Sequence, residues 1–264
     1  MKDKKAMKDK KAIGVFLLIT FAMSGICYFI RIRGGDAAAG MTSILMWCPA
    51  IAAFITQRIF YRRQKLLGFN KSKISYVIAA FLIPVIYLGV SYGVFWCIDK
   101  SSFSGQLSTN SIPTLLLLLF SSFVTALGEE IGWRGFLLPK MSEIWNVKIA
   151  VVLSGAIWAV WHFPLMLAGL YQMGTPVWYQ LSMFTVEIIA VTGILAFLRI
   201  KSNSVLPAVI FHASHNYFDQ VIFSPLTRNE RSAYFVGETG IITIVFLIVI
   251  MIVLISKYKH KVRV

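Results

Sequence analysis

Residues 113–138 read PTLLLLLFSSFVTALGEEIGWRGFLL. This run is long enough to cross a bilayer as one helix, because about 20 apolar residues span the hydrocarbon core. It nevertheless contains Glu129, Glu130 and Arg134 in its second half. Charged residues inside a membrane are costly, and they usually face the interior of a helix bundle and serve a function. The stretch therefore predicts an all-α membrane protein with a polar site inside it.

Similar apolar segments recur along the whole chain. The 264 residues are 58% hydrophobic and only 14% charged, well below the roughly 25% charged residues of an ordinary soluble domain. Mean hydropathy is +0.74. We therefore predict one transmembrane domain over residues 1–264, a polytopic helical bundle with about eight spans. These are Ala12–Ile30, Ala37–Thr56, Ile74–Ile98, Pro113–Leu138, Lys148–Phe163, Val177–Leu198, Ser204–Ile222 and Gly240–Ile255.

The net charge of +15 is explained by topology. With eight spans, 21 of the 26 Lys and Arg residues fall on the side that holds both termini, and positive residues favour the cytoplasm. We expect a basic cytoplasmic tail at residues 1–11, cytoplasmic termini, contact with the lipid bilayer and a bacterial plasma membrane. The sequence contains no basic helix of the kind that reads a DNA groove, so it does not indicate nucleic acid as a partner. The apolar stretch of the first span is longer than that of a signal peptide, which favours a transmembrane helix. MKDKKA occurs at 1–6 and again at 7–12, so Met1 and Met7 are both candidate starts.

Three ionisable side chains on different spans lie at similar predicted depths. At 1.5 Å rise per residue, Glu129 lies about 16 Å from the level of Lys140. The same rise places His162 about 21 Å from Lys148, and His212 about 16 Å from Lys201. All three therefore fall near the middle of a core of about 30 Å. We expect them to face one polar cavity.

Helical spacing suggests how their neighbours are arranged. Glu130 and Arg134 lie four residues apart, on one helix face, and can form an ion pair. Glu129 points about 100° away from Glu130, which leaves it available for chemistry. Pro164 is expected to end the fifth helix just after His162. Cys27, Cys48 and Cys97 lie in different spans without metal or disulfide spacing.

Three short patterns on successive spans carry a family resemblance. They are Glu129-Glu130-x-x-x-Arg134, Trp158-x-x-x-His162 and His212-x-x-x-Asn216. In order and spacing they resemble the CPBP family, also called Abi or CAAX-protease-like, which includes the type II CAAX prenyl endopeptidases. Phe is more usual in that family at the position of Trp158. The resemblance covers about residues 113–222 and implies an intramembrane endopeptidase that hydrolyses a peptide bond of a membrane-embedded or lipidated, CAAX-like substrate.

The resemblance also implies roles for the residues. Glu129 would act as general base with His162 orienting the water, His212 and Asn216 would hold the oxyanion, and Glu130 and Arg134 would support them. A metalloprotease remains open, because His162, His212 and Glu129 match the three-ligand pattern of catalytic zinc. The motif H-E-x-x-H is missing, however. Both mechanisms therefore remain open.

Two other functions are compatible with buried carboxylates and imidazoles. A proton-coupled transporter uses such groups as a relay, although the halves of the chain show no inverted repeat. A non-catalytic membrane peptide-binding or immunity protein would keep the same cavity without turnover. Glu187 and His215, inside the sixth and seventh predicted spans, have no role that the sequence assigns.

Overall fold

The computed structural model of the chain describes residues 2–62, 64, 66–228 and 231–256. Over these ranges the regular structure is helical, without a β-strand. The α-helices are α1 (Lys2–Gly34), α2 (Met41–Leu45), α3 (Cys48–Phe60), α4 (Ile74–Ile98), α5 (Ile112–Glu130), α6 (Leu138–Ile144), α7 (Val147–Leu167), α8 (Val177–Ser202), α9 (Leu206–Tyr217), α10 (Ser232–Phe235) and α11 (Ile241–Ile255). A π-helix at Ile131–Leu137 joins α5 to α6, and another at Phe218–Phe223 prolongs α9. The all-α prediction is confirmed.

The apolar segments form the long helices of a bundle. Six helical stretches of the described residues are long and apolar enough to cross a membrane, namely Lys4–Ala38, Met41–Phe60, Ile74–Ile98, Ile112–Ile144, Val147–Leu167 and Val177–Ser202. Ile241–Ile255 is a shorter apolar helix, and the seventh predicted span corresponds to α9 with its π-helical continuation. The protein is an integral, multi-pass membrane protein. The basic segment 257–264, Arg63 and Lys65, which enter the charge comparison, lie outside the described residues.

Helix α8 occupies the middle of the bundle. It packs against α7, α9 and α11, while α9 also packs against α4 and α5. The outer helices expose large apolar side chains such as Leu116 on α5, Ile86 on α4 and Val249 on α11. Such faces suit lipid tails, in which every backbone polar group must be satisfied within the helix. The inner faces of α5, α7, α8 and α9 therefore enclose the part of the protein that is shielded from lipid.

Two glycines allow the end of α5 to approach the chain around α3 very closely. A Cβ atom added at Gly128 would lie 2.6 Å from the Met46 carbonyl oxygen, and one at Gly132 would lie 2.4 Å from Pro49 Cβ. The two glycines are four residues apart, the spacing that lets membrane helices approach backbone to backbone. This approach fixes the part of the chain that carries Glu129 and Glu130.

One local expectation needs correction. Helix α7 does not end at Pro164 but continues to Leu167 with Pro164 inside it. Membrane helices tolerate an internal proline because neighbouring groups and local adjustments satisfy the freed backbone. The basic segment 1–11 is, from Lys2, the first part of the continuous helix α1. Asp9 within it is buried, accepts a hydrogen bond from Tyr61 and lies 3.7 Å from Lys140 Nζ, so this end of α1 is tied to α6.

We expect Gly132→Ala to destabilise the protein, because the added methyl group would overlap Pro49 and force α3 away from α5. Overpacking of this kind costs about 1–3 kcal/mol. The midpoint of thermal unfolding in detergent measures the effect. The matched control is Gly93→Ala in α4, where an added Cβ meets no atom within 4 Å. Equal midpoints for the two variants would contradict the close approach.

Candidate active site

The two adjacent glutamates leave α5 in different directions. Glu130 is fully buried, and its Oε1 accepts a hydrogen bond of 2.9 Å from Arg134 NH1. The same oxygen lies 2.9 Å from His212 Nδ1. The second Arg134 amino group donates to Thr192 Oγ1 at 2.9 Å, and its guanidinium lies 3.9 Å from the centre of the Trp158 ring. Glu130 and Arg134 thus connect α5 and its π-helical continuation to α7, α8 and α9.

Glu129 has a different set of neighbours. Its Oε2 accepts a 2.7 Å hydrogen bond from Trp158 Nε1 and lies 4.0 Å from His162 Nε2. The sequence interpretation treated Trp158 only as an aromatic neighbour of His162, so its bond to the carboxylate is a role that sequence reasoning missed. The aromatic position of the second pattern was the available signal. The indole fixes Glu129 with one oxygen directed toward the imidazole.

The geometry also assigns the protons of both histidines. His162 Nδ1 lies 3.0 Å from the Trp158 carbonyl oxygen, which can only accept, so Nδ1 carries the proton. In the neutral ring Nε2 is then an acceptor facing Glu129. His212 Nδ1 likewise donates to the Glu130 carboxylate. Its Nε2 remains as the second nitrogen of the ring, a donor whenever the ring is protonated.

One cavity of about 330 Å³ brings the predicted residues together. Glu129, His162, His212 and Asn216 all line it, with Trp158 between the first two. The cavity lies between α5, α7, α8 and α9, and a volume of this size holds about ten water molecules at roughly 30 Å³ each. The structure thus places the four predicted catalytic positions around one cavity, while Glu130 and Arg134 lie behind His212 and Trp158.

The same cavity is lined by polar residues without a predicted role. Glu187 and His215 border it, with His215 Nε2 3.5 Å from Glu187 Oε1. Glu238, in the loop before α11, borders it as well and lies 3.9 Å from His215 Nε2. Burial raises the pKa of the Glu238 carboxyl, and hydrogen bonds from Tyr171, Gln220 and Gln172 oppose the rise. Sequence reasoning missed Glu238 because a residue between two helices gives no sign of burial.

The described residues do not form a metal cage. No group of three or more His, Cys, Asp or Glu side chains in the part of the chain that the structure describes is arranged to hold a metal ion. His162 Nε2 and Glu129 Oε2, two of the three ligands that a zinc centre would need, are separated by 4.0 Å. A zinc ion binds nitrogen and oxygen at about 2.0–2.2 Å. A tetrahedral zinc ion with bonds of this length holds two ligand atoms about 3.4 Å apart, so these two side chains as placed are too far apart to fit a bound zinc ion.

Comparison with known proteins agrees with this arrangement. Residues 111–218 match the family described as type II CAAX prenyl endopeptidase Rce1-like. The chain is 26% identical to CAAX prenyl protease 2 of Methanococcus maripaludis, over 92% of this chain and 93% of that protein. It is 24% identical to lysostaphin resistance protein A of Staphylococcus haemolyticus, over 94% of this chain and 67% of that protein. The matched segment contains all three patterns quoted above, and these likenesses support the resemblance to the CPBP, CAAX-protease-like membrane proteins.

Proposed function

We propose that the protein is an intramembrane endopeptidase that uses Glu129 and His162 to activate a water molecule. The observation that carries the proposal is the 4.0 Å separation of Glu129 Oε2 and His162 Nε2 on the wall of the shielded cavity. Two polar groups too far apart for a direct hydrogen bond are suitably placed to share a water molecule. Hydrolysis of a peptide bond inside a bilayer requires such a held water.

The reaction follows from these positions. Glu129 takes a proton from the water while the water oxygen attacks the carbonyl carbon of the scissile bond. The carbonyl π electrons move onto oxygen, and this oxyanion accepts hydrogen bonds from the Asn216 amide and from Nε2 of His212 in its protonated form. When the tetrahedral intermediate collapses, the C–N bond breaks and Glu129 gives its proton to the leaving nitrogen. Donors placed in advance are most effective where water is excluded.

Glu130 and Arg134 act on this reaction through position. Glu130 holds His212 through Nδ1, and Arg134 stacks against the Trp158 ring whose indole holds Glu129. A shift of either ion-pair member would therefore displace an oxyanion donor or the general base. Such supporting contacts keep reacting groups within the small tolerance that catalysis requires.

The substrate that this architecture suits is a peptide associated with the membrane. The Methanococcus relative is named as a CAAX prenyl protease, so a lipidated C-terminal peptide is one substrate class that we propose. A membrane-embedded hydrophobic peptide is the other. We place the protein in a bacterial plasma membrane with cytoplasmic termini, because most Lys and Arg residues lie on the side of the termini.

We expect Glu129→Gln to abolish cleavage, lowering the rate by at least about 10²–10⁴-fold, the usual contribution of a general base. The amide keeps the size and the Trp158 hydrogen bond but cannot take the proton. Cleavage of synthetic membrane peptides by purified protein, with products identified by mass spectrometry, measures the loss. Glu143→Gln is the control, because that carboxylate pairs with Lys5 and Lys140 at the α6 end. Near-normal turnover by Glu129→Gln would refute the base assignment, and continued peptide binding without cleavage in the wild type would indicate a binder.

We expect Glu130→Gln to lower the stability of the folded protein. It leaves the fully buried Arg134 without its ion partner, and breaking a buried pair costs about 3–5 kcal/mol. The unfolding midpoint in detergent should fall well below those of the wild type and Glu129→Gln. Glu129 has no comparable ion pair with Arg134 within 4 Å. An unchanged midpoint for Glu130→Gln would show that the pair does not hold the bundle.

A metal-free mechanism predicts insensitivity to chelators. Purified protein dialysed against 1,10-phenanthroline or EDTA should keep its cleavage rate, and added zinc should not raise it. Loss of activity on dialysis with recovery on adding zinc would instead show that Glu129, His162 and His212 rearrange into a zinc centre. Elemental analysis of the same samples shows whether a metal was removed.

A further inference from the structure

The catalytic cavity contains, besides Glu129, a group of acidic side chains that the proposed reaction does not use. Besides Glu129 it is lined by the carboxylates of Glu187 and Glu238 and by the imidazole of His215. Asp219 lies close by, beneath the loop of Glu238, and accepts a 2.8 Å hydrogen bond from Tyr92. No Lys or Arg is among the residues that line the cavity in the described part of the chain. These acidic side chains are therefore not balanced by a Lys or Arg side chain of the cavity wall.

Glu187 is the member of this group with free acceptors. The residue is 1% exposed, and neither carboxylate oxygen accepts a hydrogen bond within the described structure. His215 Nε2 lies 3.5 Å from its Oε1, on a ring whose Nδ1 contacts the Tyr87 hydroxyl. A buried carboxylate without partners is costly, and it is usually paired with a cation or a donor. Glu187 thus has two unused acceptors, buried within the layer of residues that borders the cavity.

Glu238, by contrast, is fixed in place by donors. Tyr171 and Gln172 donate to its Oε2, and Gln220 donates to its Oε1 at 2.8 Å. Tyr171 also stacks on His162, with ring centres 5.7 Å apart. One tyrosine ring therefore links the acidic group to the catalytic imidazole. Both sites border one cavity of about 330 Å³, and a peptide advances about 3.3–3.6 Å per residue when extended, so one bound segment of a few residues reaches both.

We propose that Glu187, supported by Glu238, forms a subsite for the ammonium or guanidinium group of a Lys or Arg side chain in the substrate, within about three residues of the scissile bond. The inference rests on the proposed endopeptidase function and names a feature of its substrate. An organic cation fits better than a metal ion, because the described side chains offer no three-ligand cage. Lys and Arg supply several directed N–H donors, which match the two open oxygens of Glu187.

Matched peptides test the subsite. Full-length protein in detergent is incubated with synthetic hydrophobic peptides. In each peptide, one position within three residues of the cleaved bond is replaced by Lys, Gln or Glu. At one position Lys should exceed Gln in kcat/KM by about tenfold to a hundredfold, the strength of hydrogen bonds to a charged group. Glu187→Gln should bring this ratio close to one, whereas the control Glu143→Gln should leave it unchanged. Equal cleavage of the Lys and Gln peptides by the wild type would overturn the proposal.

A binding measurement separates the subsite from catalysis. Butylammonium, which has the four carbons and the ammonium group of a Lys side chain, should raise the unfolding midpoint of the wild type more than the neutral 1-butanol does. The difference should disappear in Glu187→Gln and remain in Glu143→Gln. If no peptide is cleaved but this selectivity is found, the cation subsite stands and the endopeptidase function fails. Cleavage without a basic preference, together with equal shifts by the two compounds, would leave the function and refute the subsite.

Discussion

The ion pair between Glu130 and Arg134 is the contact on which the interior of the bundle depends. Both groups are almost completely buried, and in hydrocarbon neither could remain charged alone. Each is also bound to a further helix, Glu130 to His212 on α9 and Arg134 to Thr192 on α8. Neutralising one charge against the other therefore also sets the positions of α8 and α9 relative to α5.

The π-helical segment after Glu130 makes these contacts compatible with close packing. A π-helix widens one part of a helix, and such segments often occur at functional sites. Here Ile131–Leu137 is entirely buried, and Gly132 within it lies against Pro49. The ordinary α-helix of α5 therefore ends at the two glutamates, at a place held from behind by α3. Glu129 can then face the cavity while Glu130 faces Arg134.

The sequence predicted much of this arrangement, for reasons that are local. Long apolar runs require helices in a bilayer, so most helical segments were predicted within a few residues of their observed bounds, whereas α1 begins well before the predicted span, at Lys2. Glu129, His162 and His212 stood out because an ionisable residue in an apolar run is unusual at any single position. The predicted end of the fifth helix at Pro164 was wrong, because the effect of a proline on a membrane helix depends on the neighbouring helices. Glu238 was missed because only tertiary packing buries it. Asp219 was missed because a single polar residue at the end of a predicted span does not stand out. The hydrogen bond of Trp158 was beyond sequence reasoning as well, since tryptophan at such a place is more often only packed.

The polar lining of the cavity has a consequence for the supply of water. Imidazoles, carboxylates and an amide at the wall cannot all satisfy one another, because Glu187 accepts no hydrogen bond and Glu129 lies 4.0 Å from His162 Nε2. Buried polar groups in a space large enough for water are normally hydrated, with each water making about three hydrogen bonds. The same polar side chains that make a dry cavity costly would therefore also attract water, the reactant that hydrolysis needs. A site built only for apolar packing would exclude both the substrate backbone and the water, whereas this wall offers polar partners to a water molecule at Glu129 and to a cationic donor at Glu187.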